Sequence, residues 1–333
     1  MRKADLGYWR HLQQVRQCLN PKQLARYALS RDCFVRFAVA ENLATDSTTL
    51  ATLAMDHSWH HRCARLIALH PNCDQPTALK LSRHPNVDVR RLLADRPDLS
   101  LETVRQLCSD SDDEIRLTCA KSAQLSSELQ LKLCQDSVPE VRAMLAQNPI
   151  CSRAVSRRLL NDNDPRVRYL ALELPAIEPD WILPCCEDSD PDVRKSACQH
   201  PGLSAEQLAK LAVNSQLQPL IARHRNCSAE LLRTLAEHGN RRTRLAVAEH
   251  PDCPKETMTQ LAGSNDYYAK VRIADHPSCA ADALAILIES GDSHLRFRVA
   301  ANPACPRQLL ERLIWDSNPN VQHAARFRLQ QRK

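Results

Sequence analysis

The chain of 333 residues carries 15 cysteines and 13 histidines, two residue types that bind metals and act as nucleophiles. Six of the cysteines recur at one position of a repeating pattern: Cys73, Cys151, Cys227, Cys253, Cys279 and Cys305. Leu99, Ile177 and Leu203 stand at that position in other copies, so cysteine serves there as a small core hydrophobe. No C-x-x-C pair occurs and the cysteine count is odd, which argues against a zinc ribbon and a disulfide frame. We therefore predict reduced, structural thiols.

Histidine also follows the repeat. Five histidines share one position: His70, His200, His224, His250 and His276. Asn42, Asn148 and Asn302 stand there in other copies, which favours a hydrogen bond to a neighbouring turn. Packed helical layers lie about 8–10 Å apart, too far for two such histidines to share a zinc ion bound at about 2 Å. A separate cluster, His57, His60 and His61, leaves two interpretations open, a metal site or, as we favour, a solvated loop.

Arginine could provide phosphate binding, and eight arginines share a further position: Arg36, Arg90, Arg116, Arg142, Arg168, Arg194, Arg244 and Arg296. They could track a nucleic-acid backbone or pair with the turn aspartates Asp110, Asp136, Asp162 and Asp188. One repeat replaces both partners, with Asn214 and Gln218. Because the two charges are lost together, we favour pairing within the protein.

These columns belong to one unit repeated about twelve times. Eight prolines mark its boundary, usually 26 residues apart: Pro71, Pro97, Pro149, Pro175, Pro201, Pro251, Pro277 and Pro303. Apolar residues recur at helical spacing within each unit, and four prolines stand at predicted helix starts: Pro139, Pro165, Pro191 and Pro319. A pair of short helices cannot enclose a core alone, so neighbouring pairs must stack. We predict an all-α solenoid over residues 18–329, a cap helix over 1–17 and a basic tail over 330–333.

The unit Leu-Ala/Cys-x-Asp-x-x-Pro-x-Val-Arg-x-x-x-Ala-x-Asn/His-Pro resembles the bacterial leucine-rich repeat variant family, whose units are short and HEAT-like. Its best copies are Leu133 to Pro149, Leu159 to Pro175 and Cys185 to Pro201. The resemblance implies a right-handed superhelix. Some members of that family carry an N-terminal iron–sulfur module with clustered cysteines, but only Cys18 and Cys33 stand in this region. We therefore predict no such module and no cofactor.

Composition disfavours several classes of protein. Mean hydropathy is −0.44 and no long apolar run occurs, which argues against a membrane protein. The sequence contains only 5 glycines and no G-x-S-x-G, P-loop, dinucleotide-binding or H-E-x-x-H motif, so we predict no catalytic residues and no enzymatic activity. The N-terminal residues do not resemble a secretory signal, and we expect a cytoplasmic protein.

We therefore predict a binding scaffold that holds a protein partner along one extended face. The anchors we select are the pair Tyr267 and Tyr268, at an expected exposed helix start, and local arginine clusters. The selected arginines are Arg157, Arg158, Arg223, Arg225, Arg241 and Arg242. The arginines and a net charge of +6 suggest an acidic partner, whereas the tyrosines could instead pack on the adjacent turn. The alternative function is nucleic-acid binding by arginines on the concave face.

Overall fold

The computed structural model describes residues 3–55, 61–175 and 177–331. Within these ranges the chain forms 25 α-helices, one 3₁₀ helix and no strand. The predicted all-α repeat class is therefore confirmed, while the right-handed sense of the superhelix stays a prediction. None of the helices in the described ranges combines the length and the apolar character needed to span a membrane. The chain divides into two compact units, Met1–Ile177 and Glu178–Lys333.

The first unit consists of short helices joined by turns. They are α1 (Lys3–Arg16), α2 (Pro21–Ala28), α3 (Cys33–Glu41), α4 (Ser47–Leu53), α5 (Arg62–Ala68), α6 (Gln75–Leu81), α7 (Val87–Ala94), α8 (Leu101–Leu107), α9 (Asp113–Ala120), α10 (Ser127–Leu133), α11 (Pro139–Ala146), α12 (Arg153–Leu159) and α13 (Pro165–Ala171). From α2 onward they alternate between the first and the second helix of a repeat.

The second unit continues the alternation. Its helices are α14 (Pro179–Ile182), α15 (Pro191–Cys198), α16 (Ala205–Leu211), α17 (Gln218–Ile221), α18 (Ala229–His238), α19 (Arg241–Ala248), α20 (Lys255–Gly263), α21 (Tyr267–Asp275), α22 (Ala281–Ile288), α23 (Ser293–Ala301), α24 (Arg307–Leu313) and α25 (Pro319–Gln330). A 3₁₀ helix, Pro184–Glu187, follows α14. The four prolines predicted at helix starts are the first residues of α11, α13, α15 and α25.

Local sequence explains why each repeat forms two helices. In the repeat of α8 and α9, the Ser100 hydroxyl accepts a hydrogen bond from the Thr103 backbone N–H at 3.3 Å. The Asp112 carboxylate accepts one from the Ile115 N–H at 3.2 Å. Both contacts satisfy N–H groups that a helix start leaves without an internal partner. The apolar sides of the two helices, including the fully buried Leu107 and Ile115, form the core.

Two repeats of the second unit depart from this pattern. Pro184 lacks the N–H needed to continue α14 with α-helical hydrogen bonds, and a 3₁₀ turn replaces the second half of that helix. The repeat of α16 and α17 is two residues shorter than the usual unit, and its second helix, α17, is only four residues long. The Gln218 side chain there donates to the Ala212 carbonyl oxygen at 3.0 Å. Glutamine thus makes the backbone contact that arginine makes elsewhere, without a carboxylate partner.

The ends of the chain carry longer helices. In α1, within the predicted cap, Leu12 and Val15 are buried, and the Val15 carbonyl oxygen accepts a hydrogen bond from Asn42 at 2.8 Å. At the other end α25 continues to Gln330, so helix crosses the predicted boundary at residue 329. The division into cap, solenoid and tail stays a prediction.

Candidate functional site

The recurring histidines hold successive repeats together. The imidazole Nε2 of His70, His224, His250 and His276 lies 3.0–3.1 Å from the carbonyl oxygen that ends the preceding repeat. Nδ1 of the same rings accepts a hydrogen bond from the backbone N–H two residues later, so Nε2 must be the donor. The predicted hydrogen bond to a neighbouring turn is confirmed for these four histidines, and both nitrogens of their rings are engaged.

Two members of the three-histidine cluster, His57 and His60, lie outside the described residues. His61 precedes α5 with a left-handed φ of 60°. Its ring lies edge-on to that of His84, with centroids 4.8 Å apart. Among residues 3–55, 61–175 and 177–331, no group of three histidine, cysteine or acidic side chains has an arrangement that could hold a metal ion. The choice between metal site and loop stays a prediction for this cluster.

The recurring arginines form ion pairs between repeats. Arg90, Arg116, Arg142 and Arg296 each donate two hydrogen bonds, at 2.6–3.1 Å, to an aspartate in the next turn. The carboxylates are those of Asp110, Asp136, Asp162 and Asp316. A third guanidinium hydrogen bond reaches a backbone carbonyl oxygen, as from Arg116 to Asp110 at 2.9 Å. The predicted internal pairing is confirmed for these four, and their donors are not available to track phosphates.

Thirteen of the fifteen cysteines are buried, and Cys18 and Cys33 are half-buried, which confirms the predicted core role. Burial raises the pKa of Cys73, Cys151 and Cys227 to about 11 and that of Cys253 and Cys279 to about 12. These thiols stay protonated at neutral pH, and a protonated buried thiol is a poor nucleophile and metal ligand.

The predicted tyrosine pair lies at the start of α21. Tyr267 and Tyr268 are 41% and 55% exposed, and their rings meet edge to face with centroids 5.7 Å apart. The Arg241 guanidinium, from the start of α19, lies 4.1 Å from the centroid of the Tyr268 ring. This distance is well within the range of a cation–π interaction. One side of the pair therefore packs on the preceding repeat while the rest faces solvent.

Further contacts hold this arrangement on both sides. The Tyr267 hydroxyl lies 3.0 Å from Nδ1 of His294 in α23. Asp266, whose carboxylate accepts from the Ala269 N–H at the start of α21, lies 3.3 Å from the Arg244 guanidinium and 4.0 Å from that of Arg241. A groove of about 660 Å³ opens between the two turns. It is lined by Arg241, Arg244, Tyr267 and Tyr268 and by polar side chains, among them Gln260 and Asn265.

The other selected arginines are distributed over both units. Arg242 is exposed beside Arg241, and Arg225 is exposed in the turn before α18. Arg223 lies 3.3 Å from Glu249. Arg157 and Arg158 lie on the exposed side of α12, a first helix of the other unit. The structure thus brings Tyr267, Tyr268 and Arg241 together, places Arg242 next to Arg241 at the start of α19, and leaves the remaining arginines at other positions of their repeats.

Sequence reasoning missed how aromatic residues are distributed. Of the twelve Phe, Tyr and Trp residues whose side chains the structure describes, nine are exposed and only Phe37 is fully buried. Seven of the nine were not selected as anchors from the sequence, among them Phe297 on α23 and Phe327 on α25. The repeat position of Phe297 gives no signal, because the residue after a recurring arginine is exposed at Arg91, Tyr169 and Lys195 but buried at Phe37.

Comparison with known proteins identifies the repeat. Residues 193–251 match the model of the leucine-rich repeat variant domain. The resemblance to leucine-rich repeat variants is confirmed. None of the curated proteins matches the chain.

Among solved structures, the chain is similar to helical-repeat proteins. One is described as a leucine-rich repeat variant with a novel repetitive structural motif, at 18% identity, 74% coverage of this chain, 88% of that chain and a TM-score of 0.45. Importin beta is similar at 11% identity, with 99% and 49% coverage and a TM-score of 0.29. A designed armadillo repeat protein in complex with a peptide (KR)4 is similar at 15% identity, with 93% and 98% coverage and a TM-score of 0.12.

Proposed function

We propose that this protein is a non-enzymatic scaffold of the cytoplasm that binds a protein partner through the surface around Tyr267 and Tyr268. Stacked helical repeats are typical of binding scaffolds, because they present an extended surface rather than an enclosed pocket. The internal use of the recurring cysteines, histidines and arginines supports a role without catalysis. The anchors are the tyrosine pair with Arg241 and Arg242, and Arg157, Arg158, Arg223 and Arg225 provide additional positive charge.

The observation that carries this proposal is the stack of Arg241 on an exposed Tyr268. Tyrosine and arginine are enriched among the residues that dominate binding energy at protein interfaces. Here neighbouring helices already hold them in place through Asp266 and His294. A surface that is ordered before binding loses less side-chain entropy when a partner arrives.

The test is affinity purification from the cells that express the protein, using the wild type and the double variant Tyr267→Ala/Tyr268→Ala. We expect the variant to lose at least about tenfold in recovery of the specific partner, because each buried interface tyrosine contributes on the order of 1–2 kcal/mol. Quantitative mass spectrometry of the eluted proteins measures the effect.

The matched control is Tyr8→Ala/Trp9→Ala. Tyr8 and Trp9 are also an exposed neighbouring pair with edge-to-face rings, 6.2 Å between centroids, but they lie on α1. Equal loss in both variants, or no loss in either, would remove Tyr267 and Tyr268 as anchors. Recovery of nucleic acid in place of a protein would favour the alternative function.

A further inference from the structure

The tyrosine pair belongs to a wider surface formed by four successive second helices, α19, α21, α23 and α25. We call it the second-helix face and define it by its outward side chains: Arg241, Arg242, Tyr267, Tyr268, Arg272, His294, Phe297, Arg298 and Phe327. Three aromatic residues of this face, Tyr268, Phe297 and Phe327, are 55%, 40% and 54% exposed. Exposed aromatic side chains in neighbouring repeats are typical of an interaction surface.

Side-chain contacts join these helices across the face. Arg241 of α19 stacks on Tyr268 of α21, and Tyr267 of α21 meets His294 of α23. The Arg298 guanidinium lies 3.3 Å from the second nitrogen of His294. The face is thus a continuous, internally supported surface from α19 to α23.

The apolar part of the face lies towards α25. Phe297 and Ala301 are four residues apart on α23 and therefore share a side of the helix. The Ala301 carbonyl oxygen accepts a hydrogen bond from Arg328, the neighbour of Phe327 on α25. Phe297 and Phe327 are thus exposed aromatic residues on two neighbouring second helices that this hydrogen bond joins.

The charged part of the face lies at the start of α19. Here Arg241 and Arg242 are the first two residues of the helix, and the first turn contains no acidic residue. Cations are unfavourable beside the positive end of the helix dipole, by roughly 0.3–1 kcal/mol each. In α9 the corresponding residues are Asp113 and Glu114. Most second helices also lack an acidic residue in the first turn, but among those that the structure describes α19 alone begins with two arginines.

The acidic side chains near these two arginines balance their charge only in part, because Asp266 is shared between Arg241 and Arg244 and the other acidic residue that lines the groove is Glu237. Glu249 lies 3.0 Å from Arg272 and 3.3 Å from Arg223, and Asp275 forms an ion pair with Arg298. Asp266 is closer to Arg244 than to Arg241. Positive charge is therefore in excess where α19 and α21 begin.

We propose that the second-helix face binds one linear segment of the partner whose acidic residues contact Arg241 and Arg242 and whose apolar residues contact Phe297 and Phe327. This inference rests on the proposed function and adds the chemistry of the ligand. Four helices at about 8–10 Å spacing cover roughly 25–30 Å, which an extended chain of about eight or nine residues spans at about 3.3 Å per residue.

The experiment selects ligands without assuming their sequence. The protein is immobilised and panned with a phage-displayed library of random peptides. A peptide length of about 12 residues is sufficient to span the four helices. We expect the enriched peptides to carry more acidic than basic residues together with aromatic or large aliphatic residues. Enrichment of neutral or basic peptides, or no enrichment, would overturn the proposal.

The best enriched peptide, labelled with a fluorophore, is then titrated with variants and followed by anisotropy. We expect binding to weaken about tenfold or more in each of two double variants, Arg241→Glu/Arg242→Glu and Phe297→Ala/Phe327→Ala. In the charge variant the affinity should also depend less on salt concentration. The matched charge control is Arg65→Glu/Lys80→Glu, which changes two exposed cations of the other unit and should leave affinity unchanged. Thermal melts confirm that every variant folds.

Two further results separate the proposals. A labelled single-stranded oligonucleotide that binds more tightly than the peptide, and loses binding in Arg241→Glu/Arg242→Glu, would show that the face takes nucleic acid. If partner recovery depends on Tyr267 and Tyr268 while no acidic and apolar peptide is enriched, the scaffold function stands and the ligand assignment is wrong.

Discussion

At the scale of single residues, one position of the repeat shows how different side chains perform the same task. Asn148 donates from its side-chain amide to the Ala120 and Ser122 carbonyl oxygens and accepts from the Ile150 N–H. At the same position of its own repeat, His70 donates from Nε2 to the Asn42 carbonyl oxygen and accepts at Nδ1 from the Asn72 N–H. Arg96 donates to the Ala68 and His70 carbonyl oxygens. The shared requirement is a donor that reaches back one repeat, not metal binding or catalysis.

His70 makes stability depend on pH. Burial, with a smaller contribution from the nearby Arg96, lowers the pKa of His70 below its ordinary 6.5, because the fold needs the neutral ring. The stabilisation from His70 is therefore complete above pH 6.5 and is lost as the pH falls through the lower pKa of the folded state.

The variant His70→Asn tests this effect. Asparagine occupies the position in other repeats, so we expect the free energy of unfolding at pH 7 to change by less than about 1 kcal/mol. Between pH 6.5 and 5 the variant should lose less stability than the wild type, measured by urea unfolding at several pH values. Parallel pH profiles for both proteins would contradict the assigned role of His70.

At the scale of helices and turns, the Arg–Asp pairs connect the second helix of one repeat to the turn of the next. The side chains of Arg116 and Asp136 are 13% and 7% exposed, and the carboxylate also accepts from the Val138 N–H at 3.0 Å. Well-formed hydrogen bonds offset the cost of burying both charges. The pair therefore fixes the geometry between neighbouring repeats.

We expect Asp136→Ala to lower the free energy of unfolding by about 3 kcal/mol or more, because it leaves the Arg116 charge buried without its partner. Glu128→Ala is the control, since Glu128 is 69% exposed in its pair with Arg105, and should cost less than about 1 kcal/mol. Chemical denaturation measures both variants. Similar losses would mean that the internal pairs are no more important than surface pairs.

At the scale of the whole molecule, a repeat protein is held together by contacts between near neighbours in sequence. The recurring hydrogen bonds follow this rule, since they join residues 20 to 28 positions apart. Cooperativity over all 333 residues therefore has to pass from one repeat to the next. This is weaker than the cooperativity of a domain with a single shared core.

Urea unfolding should reveal this weaker cooperativity. Circular dichroism reports on all helices, whereas tryptophan fluorescence includes contributions from Trp9 and Trp315 near the two ends of the sequence. We expect the two methods to give different midpoints of unfolding. The slope of the transition should also be smaller than that of a cooperative domain of equal length. Coincident curves with a steep slope would show that the repeats unfold as one unit.

Much of this structure could be predicted because the determinants are local and repeated. Pro139 and Pro165 predicted the starts of α11 and α13, which the structure contains. The recurring arginines predicted ion pairs, and the exchange of histidine for asparagine predicted a hydrogen bond to the neighbouring repeat. The prediction was weakest for surface residues. Phe297 and Leu287 are both large apolar residues, yet the first is exposed and the second buried, and only the packing of neighbouring helices separates them.

The sequence by itself determined the helical repeat, its boundaries and the internal roles of cysteine, histidine and arginine, because a column that recurs every 26 residues reports the same environment many times. The tertiary structure decided which exposed residues meet. Arg241 and Tyr268, like Tyr267 and His294, are 27 residues apart in sequence and become neighbours only when repeats stack. A surface formed by single side chains from successive repeats has no recurring column, so it becomes visible only in the folded protein.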